Sequence, residues 1–185
     1  TAYEIHERLV GSEMCIRDRY DFDLLIFATG FDAMTGTLLK IDIQGRGGIT
    51  LAEKWSAGPV TYLGLAIDGF PNFFTVSGPG SPSVLSNMIV TIEQHVNWIM
   101  DCLDTMQARQ TATIEATETA SSDWVKAGNA IAAGTLFPTC NSWYLGANVP
   151  GKPRIFMPYV GGFPSYVEIC ENVKREGYPG FVFSN

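Results

Sequence analysis

Apolar residues between positions 20 and 185 occur in short runs broken by glycine and proline, a pattern typical of many short elements joined by ordered loops. The run from Asp23 to Ala28 stops at Thr29-Gly30, and the run from Asn72 to Val76 stops at Ser77-Gly78. Continuous apolar runs of this length predict strands buried on both faces of a parallel sheet. A hairpin is predicted in which strands at 38–43 and 49–51 flank a Gly-Arg-Gly-Gly turn. Two later strands are predicted at 154–160 and 181–183.

Three segments show the spacing of amphipathic helices. The longest covers about 85–108. A second is expected to begin at a Ser121 or Ser122 cap and to end at Gly134, and a third to cover 164–176 with Gly177 as its C-terminal cap. The residues expected to face the core are Met88, Ile89, Ile92, Val96, Ile99, Leu103 and Met106 in the first helix, Trp124, Ala127 and Ile131 in the second, and Tyr166, Ile169, Cys170 and Val173 in the third.

The order of these elements favours an α/β fold. The strand at 72–76, the glycine turn after it and the long helix together form half of a dinucleotide-binding layout. No linker divides residues 20–185, so we expect one structural unit there. Residues 1–19 lack sustained periodicity, and the run Glu7–Arg19 is similar to translated adapter sequence. We expect residues 1–19 to lie outside the native fold; a genuine amphipathic N-terminal segment is the alternative.

The charge distribution favours small-molecule chemistry over a polyanionic partner. The net charge is −7 and no lysine or arginine cluster stands out, so neither nucleic acid nor an anionic membrane is an expected partner. No apolar stretch reaches the roughly 20 residues that span a bilayer. The four cysteines and two histidines show neither metal-ligand spacing nor a disulfide framework, which predicts a soluble cytosolic protein without a metal site.

Two turns combine small residues with an adjoining strand or helix, as ligand-binding turns of open α/β sheets do. The first is Leu25-Ile-Phe-Ala-Thr-Gly-Phe-Asp32, and the second is Gly78-Pro-Gly-Ser-Pro-Ser-Val-Leu-Ser-Asn-Met88 before the long helix. The N–H groups at the start of that helix favour an electron-rich ligand atom, and the glycines would leave room for a flat ring. The same patterns also fit a buried strand with its turn and an ordinary strand-to-helix connection.

Other reactive side chains favour structural roles. His95 follows Met88 by seven residues and lies on or beside the apolar face of the helix, which favours a hydrogen-bonded core histidine. Ser81 and Ser83 do not form a nucleophile elbow. Trp143, in a loop rich in glycine and proline, is either a packing anchor or a mobile ring that closes over a ligand.

Several of these motifs together resemble Baeyer-Villiger monooxygenases. Phe27-Ala-Thr-Gly-Phe-Asp32 is similar to the late signature of class B flavoprotein monooxygenases, which N-oxygenating relatives share. The run G-P-G-S-P-S-V-L-S-N-M at 78–88, I-E-Q-H at 92–95 and N-S-W-Y-L-G-A-N-V-P-G-K-P at 141–153 look like the phenylacetone and cyclohexanone monooxygenase group. The resemblance extends from about Tyr20 to the end of the chain.

The resemblance implies an FAD- and NADPH-dependent oxidoreductase that inserts one oxygen atom of O2 into a ketone to give an ester or lactone. It also implies that the chain is the C-terminal portion of a flavoprotein with two Rossmann-like dinucleotide-binding domains. Met88 with Asn87 would contact the flavin, and the indole of Trp143 would close over the NADP ribose. The implied cofactor-binding positions are Thr29, Gly30, Asp32, Asn87, Met88 and Trp143, and the implied ketone-pocket positions are Ser83, Val84 and Leu85; Gly146, Asn148 and Lys152 match the loop of Trp143 without individual roles.

Parts of the family pattern are not found in these 185 residues. They are the two G-x-G-x-x-G turns for FAD and NADP, the F-x-G-x-x-x-H-x-x-x-W-P fingerprint, and a match to the arginine that the family uses in catalysis. No catalytic residue is therefore assigned, and the chain is expected to help to bind rather than to catalyse alone. A related flavin N- or S-oxygenase and an inactive truncated fragment are the alternative interpretations.

Overall fold

The structure, a computed structural model, describes Asp23, Leu24, Ile26 and residues 30–185. The chain divides into two compact units, and the second spans Phe31–Asn185. The expectations for residues 1–19 and for Thr29 lie outside the described residues. Leu24 and Ile26 are 75% and 78% exposed and belong to no strand, so the buried strand predicted at 23–28 is wrong at these positions. A strand of a parallel sheet needs hydrogen-bonding neighbours, and the described residues contain no parallel pair.

The regular structure of the described residues is mixed helix and sheet. Its only sheet is a two-stranded antiparallel pair in which Thr113 lies opposite Ser184 and Ala116 opposite Phe181. The parallel Rossmann-like sheet of the prediction is not seen among these residues. In chain order the elements are α1, Leu51–Lys54; α2, Met88–Arg109; β1, Thr113–Ala116; α3, Glu118–Ala133; α4, Phe163–Arg175; and β2, Phe181–Ser184, with 3-10 turns at Leu38–Lys40, Arg46–Gly48, Ser83–Leu85, Phe137–Thr139 and Trp143–Leu145.

Polar caps set the helix boundaries. The predicted start of α3 at Ser121 or Ser122 was wrong by a full turn, because Thr117 supplies the cap and its hydroxyl accepts a hydrogen bond from Ala120 N–H at 3.2 Å. The end of α4 matches the prediction. Gly177 has φ +82°, and Tyr178 N–H donates to the Val173 carbonyl at 2.7 Å, which closes the last turn.

The buried residues form one large cluster and one smaller cluster. The large cluster joins α2, α3, α4 and both strands, and its largest fully buried side chains are Trp98 and Tyr166. The smaller cluster packs Leu51 and Trp55 of the α1 region against Ile67 and Phe70. The α4 prediction is confirmed by the buried Tyr166, Cys170 and Val173.

The predicted core faces of α2 and α3 were largely wrong. The buried residues of α2 are Thr91, His95, Trp98, Cys102 and Met106, so of the predicted set only Met106 is buried. Ile89, Ile92, Val96 and Leu103 are 41–76% exposed. In α3, Trp124 is buried as expected, whereas Ala127 and Ile131 are exposed and Ser121 and Ala132 are buried instead.

The most continuously buried segment, 61–68, has little regular structure. Tyr62 and Ala66 pair across a tight turn, and Ala66 also pairs with Phe74. Leu63 and Gly64, at the centre of that turn, both have positive φ angles. A Cβ at Gly64 would lie 2.4 Å from Ser81 N, so glycine is what allows residues 80 and 81 to approach this turn.

Three predicted strand regions are irregular in the structure. Residues 38–51 contain a 3-10 turn at 38–40 and a single Gln44–Thr50 bridge around the glycine turn, and α1 begins at Leu51 behind a Thr50–Glu53 capping box. The segment 72–76 makes only the bridge at Phe74. Residues 154–160 are extended and bond to loops rather than to strands, as Met157 N–H does to Tyr144 O and Tyr159 N–H to Ser81 O.

Candidate functional site

The sequence-predicted site residues fall in three places: residues 30–35, the loop of Trp143, and the turn that leads into α2. Gly30 has φ +77°, the left-handed conformation that glycine adopts without strain. Asp32 lies two residues later and is partly buried. Its carboxylate accepts hydrogen bonds from Thr35 N–H at 3.3 Å and from the Thr35 hydroxyl at 3.1 Å. The Asp32 carboxylate is thus engaged within the chain.

Asp32 also pairs with Lys152, 120 residues further along the chain. The Lys152 Nζ lies 2.6 Å from Asp32 Oδ1 and 2.6 Å from Thr35 Oγ1, and the lysine side chain is only 13% exposed. Burial alone would raise the pKa of Asp32, but the hydrogen bond and positive charge of Lys152, with the Thr35 bonds, lower it overall. The Asp32 carboxyl is therefore ionised at neutral pH.

The Trp143 loop, defined here as residues 137–153, is ordered by bonds to the extended segment after it. Tyr144 O and Leu145 O accept hydrogen bonds from Met157 N–H and Ile155 N–H. Ser142 caps the 3-10 turn Trp143–Leu145, which ends at Gly146 with φ +71°. The Trp143 ring is half-buried and contacts the Tyr144 ring, with 4.2 Å between centroids. Its indole N–H has no hydrogen-bond partner among the described residues.

A cavity lies where the Trp143 loop approaches residues 32–35. Its volume is about 340 Å³. Val149, Pro150 and Gly151 form one wall, and Leu39, Ala52 and Trp55 form another. Asp32, Thr35 and Lys152 also line it. This cavity was not predicted, because its walls come from three segments far apart in the chain, and two of its lining residues, Asp32 and Lys152, are 120 residues apart.

The turn before α2 is fixed by buried hydrogen bonds. Thr61 Oγ1 donates to Pro79 O at 2.7 Å, Trp124 Nε1 donates to Gly80 O at 2.9 Å, and Gly80 N–H donates to Met157 O. The expectation that its glycines leave room for a flat ring stays a prediction, but the glycines also have a structural role. A Cβ at Gly80 would lie 2.5 Å from Thr61 Oγ1 and one at Gly78 2.5 Å from Thr75 Oγ1, so these glycines accommodate the chain's own side chains.

Residues 83–88 divide into buried and exposed positions. Ser83 is buried, with φ +48°, and its hydroxyl contacts the sulfur of Met34 at 3.8 Å. Val84 is 41% exposed, and Leu85 and Met88 are half-buried. Their predicted roles as pocket and flavin contacts stay predictions.

Asn87 is exposed and caps α2. Its Oδ1 accepts hydrogen bonds from Ile89 N–H at 3.1 Å and Val90 N–H at 3.4 Å, so its side chain satisfies two donors expected to face a ligand. The side-chain Nδ2 remains a donor at this exposed surface. The start of α2 therefore offers the Asn87 Nδ2 group at its surface, while two of its backbone N–H groups are already engaged.

His95 is a core residue, as predicted. It is fully buried, and its Nδ1 accepts a hydrogen bond from Ser77 N–H at 2.9 Å. Nε2 therefore carries the proton and donates to the Tyr166 hydroxyl at 2.8 Å, which in turn donates to Leu63 O at 2.7 Å. Burial lowers the pKa of His95 from 6.5 to about 4, so the ring is neutral at physiological pH.

Within the described residues there is no cluster of three or more potential metal ligands. None of the helices found there is both long and apolar enough to cross a membrane.

No family model matches the chain. Individual proteins do. The chain is 41% identical to a Baeyer-Villiger monooxygenase of Pseudooceanicola batsensis over 89% of its own length and 30% of that protein. It is 40% identical to the acetone monooxygenase (methyl acetate-forming) of a Gordonia species, over 94% of the chain and 33% of the relative. A phenazine N-monooxygenase of Lysobacter antibioticus is 39% identical over 88% of the chain and 30% of its own length.

The chain also matches solved structures over most of its length. An oxidized steroid monooxygenase bound to NADP is 52% identical, with a TM-score of 0.82, over 91% of the chain and 31% of that structure. The chain thus spans about a third of the length of the relatives it matches.

Proposed function

We propose that this chain, which is homologous to a C-terminal part of Baeyer-Villiger monooxygenases, works within an FAD- and NADPH-dependent enzyme that inserts one oxygen atom of O2 into ketones, giving esters or lactones. The observation that supports this most is the extent of the match, nine-tenths of the chain at 40% identity or more, to proteins named for this activity. The complete enzyme would have two Rossmann-like dinucleotide-binding domains, and this chain would close the site that they form.

The chain's own residues would bind and position rather than react. Bound FAD, together with NADPH, would supply the oxygen-activating chemistry. Asn87 Nδ2 and the half-buried Met88 would contact the flavin edge at the exposed start of α2. The Trp143 indole N–H would donate to the NADP ribose, and Thr29, Gly30 and Asp32 would lie near the cofactor. Ser83, Val84 and Leu85 would border the ketone pocket, and no residue of this chain is given a catalytic role.

N-oxygenation is the second candidate function, because the chain also matches a phenazine N-monooxygenase over 88% of its length. An inactive fragment is the third. A chimera separates all three: residues 20–185 replace the matching segment of the Gordonia acetone monooxygenase. We expect NADPH-dependent conversion of ketones to esters. N-oxide formation without ester would favour the second candidate, and a folded, FAD-loaded chimera without any oxygenation would favour the third.

Trp143 gives a sharper test in the same chimera. If its indole N–H donates to NADP, Trp143→Ala should weaken NADPH binding by on the order of 1–3 kcal/mol, because one hydrogen bond and an aromatic contact are lost. Release of hydrogen peroxide should rise, since a more open site admits water. FAD content should stay constant.

Trp143→Phe is the matched control, since it keeps a smaller aromatic ring and removes the N–H. The phenylalanine variant should show the part of the loss in NADPH binding that comes from the hydrogen bond. Normal NADPH affinity in both variants, accompanied by loss of FAD or of folding, would show that Trp143 is only a packing anchor.

A further inference from the structure

We propose that Lys152 is a positioning residue whose ammonium group fastens the arch, defined as residues 146–152 of the Trp143 loop, to residues 31–35. The arch and the segment that follows Gly30 would then form one rigid wall of the 340 Å³ cavity.

The contact has the geometry of a fixed ion pair. Lys152 Nζ reaches both Asp32 Oδ1 and Thr35 Oγ1 at 2.6 Å, while the same carboxylate and hydroxyl are bonded to each other. Thr35 is buried, and the side chains of Lys152 and Asp32 are only 13% and 21% exposed. Partial burial and three mutually bonded groups distinguish this pair from an exposed ion pair, whose contribution is usually small. Lys126 with Asp123, at 72% and 63% exposure, is such an exposed pair in this chain.

The lysine side chain also holds the arch from inside. A Cβ at Gly146 would lie 2.8 Å from Lys152 Cδ, so the methylene groups of Lys152 cross directly over the Gly146 backbone. Gly146 itself has φ +71°. The first and last residues of the arch are therefore in contact, and the ammonium group joins both to Asp32.

The arch has little other support. Its backbone hydrogen bonds are turns within the Trp143 loop, such as Val149 N–H to Gly146 O at 3.1 Å and Lys152 N–H to Val149 O at 3.3 Å. Residues 144 and 145, by contrast, bond to residues 157 and 155. Asn148 Nδ2 donates to Phe31 O at 3.0 Å but is exposed. The partly buried ion pair is thus the main contact between the arch and residues 31–35.

One consequence rests on the proposed function. Asp32 and Trp143 are both predicted cofactor contacts, and Lys152 links the segment of one to the loop of the other. Loss of the ammonium group should therefore raise the KM for NADPH more than it lowers kcat.

The first experiment uses the whole 185-residue chain and does not depend on the proposed function. Amide hydrogen exchange at Val149 and Lys152 is compared in Lys152→Met, Lys152→Arg and Asp32→Asn. Methionine keeps most of the apolar stem over Gly146 and removes the ammonium group with its charge and hydrogen bonds, so we expect exchange in the arch to be roughly tenfold faster. Arginine keeps the charge and should restore much of the protection. Lys126→Met is the control and should leave the arch unchanged.

The double variant Asp32→Asn/Lys152→Met keeps the test decisive if one single variant is poorly folded. If the two residues act through one contact, the double variant should exchange no faster than the worse single variant. Additive effects, or protection unchanged by every substitution, would overturn the proposal.

The second experiment measures NADPH kinetics of Lys152→Met and Lys152→Arg in the chimera described above. We expect a several-fold increase in KM for NADPH in the methionine variant, little change in kcat, and recovery in the arginine variant. Faster arch exchange without any change in KM would overturn the positioning role. An unsubstituted chimera without turnover would instead count against the proposed function and leave the exchange result valid.

Discussion

The two faces of α2 differ in composition and surroundings. The buried face carries Thr91, His95, Trp98, Cys102 and Met106, a mixture of polar, aromatic and sulfur-containing side chains. The exposed face carries the aliphatic series Ile89, Ile92, Val96 and Leu103. Hydrophobicity alone would assign these faces the other way round. Specific partners, rather than apolar character, determine which face of this helix meets the core.

Those partners are identifiable. Trp98 Nε1 donates to Cys170 O at 3.0 Å, which joins α2 to α4. Thr91 Oγ1 bonds to Asn87 O and Ser86 Oγ, and His95 bonds to Ser77 and Tyr166. The polar atoms of Thr91, His95 and Trp98 are therefore hydrogen-bonded, which lowers the cost of burying them. The predictions below test the contrast between the two faces.

The largest effect is expected at the centre of the buried face. Trp98 is 1% exposed and packs against Tyr178 and Phe181. Trp98→Ala should lower the free energy of unfolding by about 3–5 kcal/mol, because a large cavity forms and the Cys170 carbonyl loses its donor. Urea denaturation measures this, and Trp98→Phe should cost less. A loss below 1 kcal/mol in the alanine variant would contradict the assignment of this face to the core.

An intermediate effect is expected from His95 in acid. Burial holds its folded pKa at about 4, against 6.5 for an unperturbed histidine. The unfolded chain therefore binds the proton first, so stability is full above pH 6.5 and is lost as the pH falls toward 4. Between pH 7 and pH 5 we expect the free energy of unfolding to fall by about 2 kcal/mol.

His95→Gln should remove most of this slope, since the groups that face His95 do not titrate in the range. Burial raises the pKa of Tyr166 well above its usual value and that of Cys170 to about 12. An equal slope in the glutamine variant would assign the acid sensitivity elsewhere. The arch should stay protected at pH 5, because the pKa of Asp32 is lowered by its hydrogen bonds and by the charge of Lys152, so its carboxyl stays ionised at that pH.

The smallest effect is expected on the exposed face. Ile92 and Val96 are 41% and 44% exposed. Ile92→Thr and Val96→Thr should each change the free energy of unfolding of this chain by less than about 0.5 kcal/mol. Losses above 1.5 kcal/mol in thermal or urea unfolding would mean that this face is covered in the folded chain.

The sequence predicted helices better than strands, for a physical reason. Helices depend on local spacing and caps, so α2 and α4 were found near their true boundaries. Strands depend on partners far along the chain: β2 was predicted at 181–183, but its partner β1, some seventy residues earlier, was missed. The tightly buried segment 61–68 was also missed, since its Tyr62–Ala66 turn relies on positive φ at Leu63 rather than on a repeating pattern.

Likeness to a family supplied the positions of the candidate site, and the cofactor and substrate roles of these positions stay predictions. That resemblance is confirmed by the matches to Baeyer-Villiger monooxygenases. What likeness did not supply was which side chains are already engaged: Asn87 caps its own helix, and Asp32 pairs with Lys152. A contact across 120 residues has no local signature, so only the folded chain reveals it.

The crossing of Lys152 over Gly146 makes the two positions interdependent in any mutational series. A side chain at 146 would collide with the lysine stem before it met anything else, in addition to the strain imposed by the positive φ. Shortening residue 152 would relieve the collision and leave only the backbone strain. Gly146→Ala should therefore be less harmful in the presence of Lys152→Ala than in the original chain, a form of epistasis that single substitutions would not disclose.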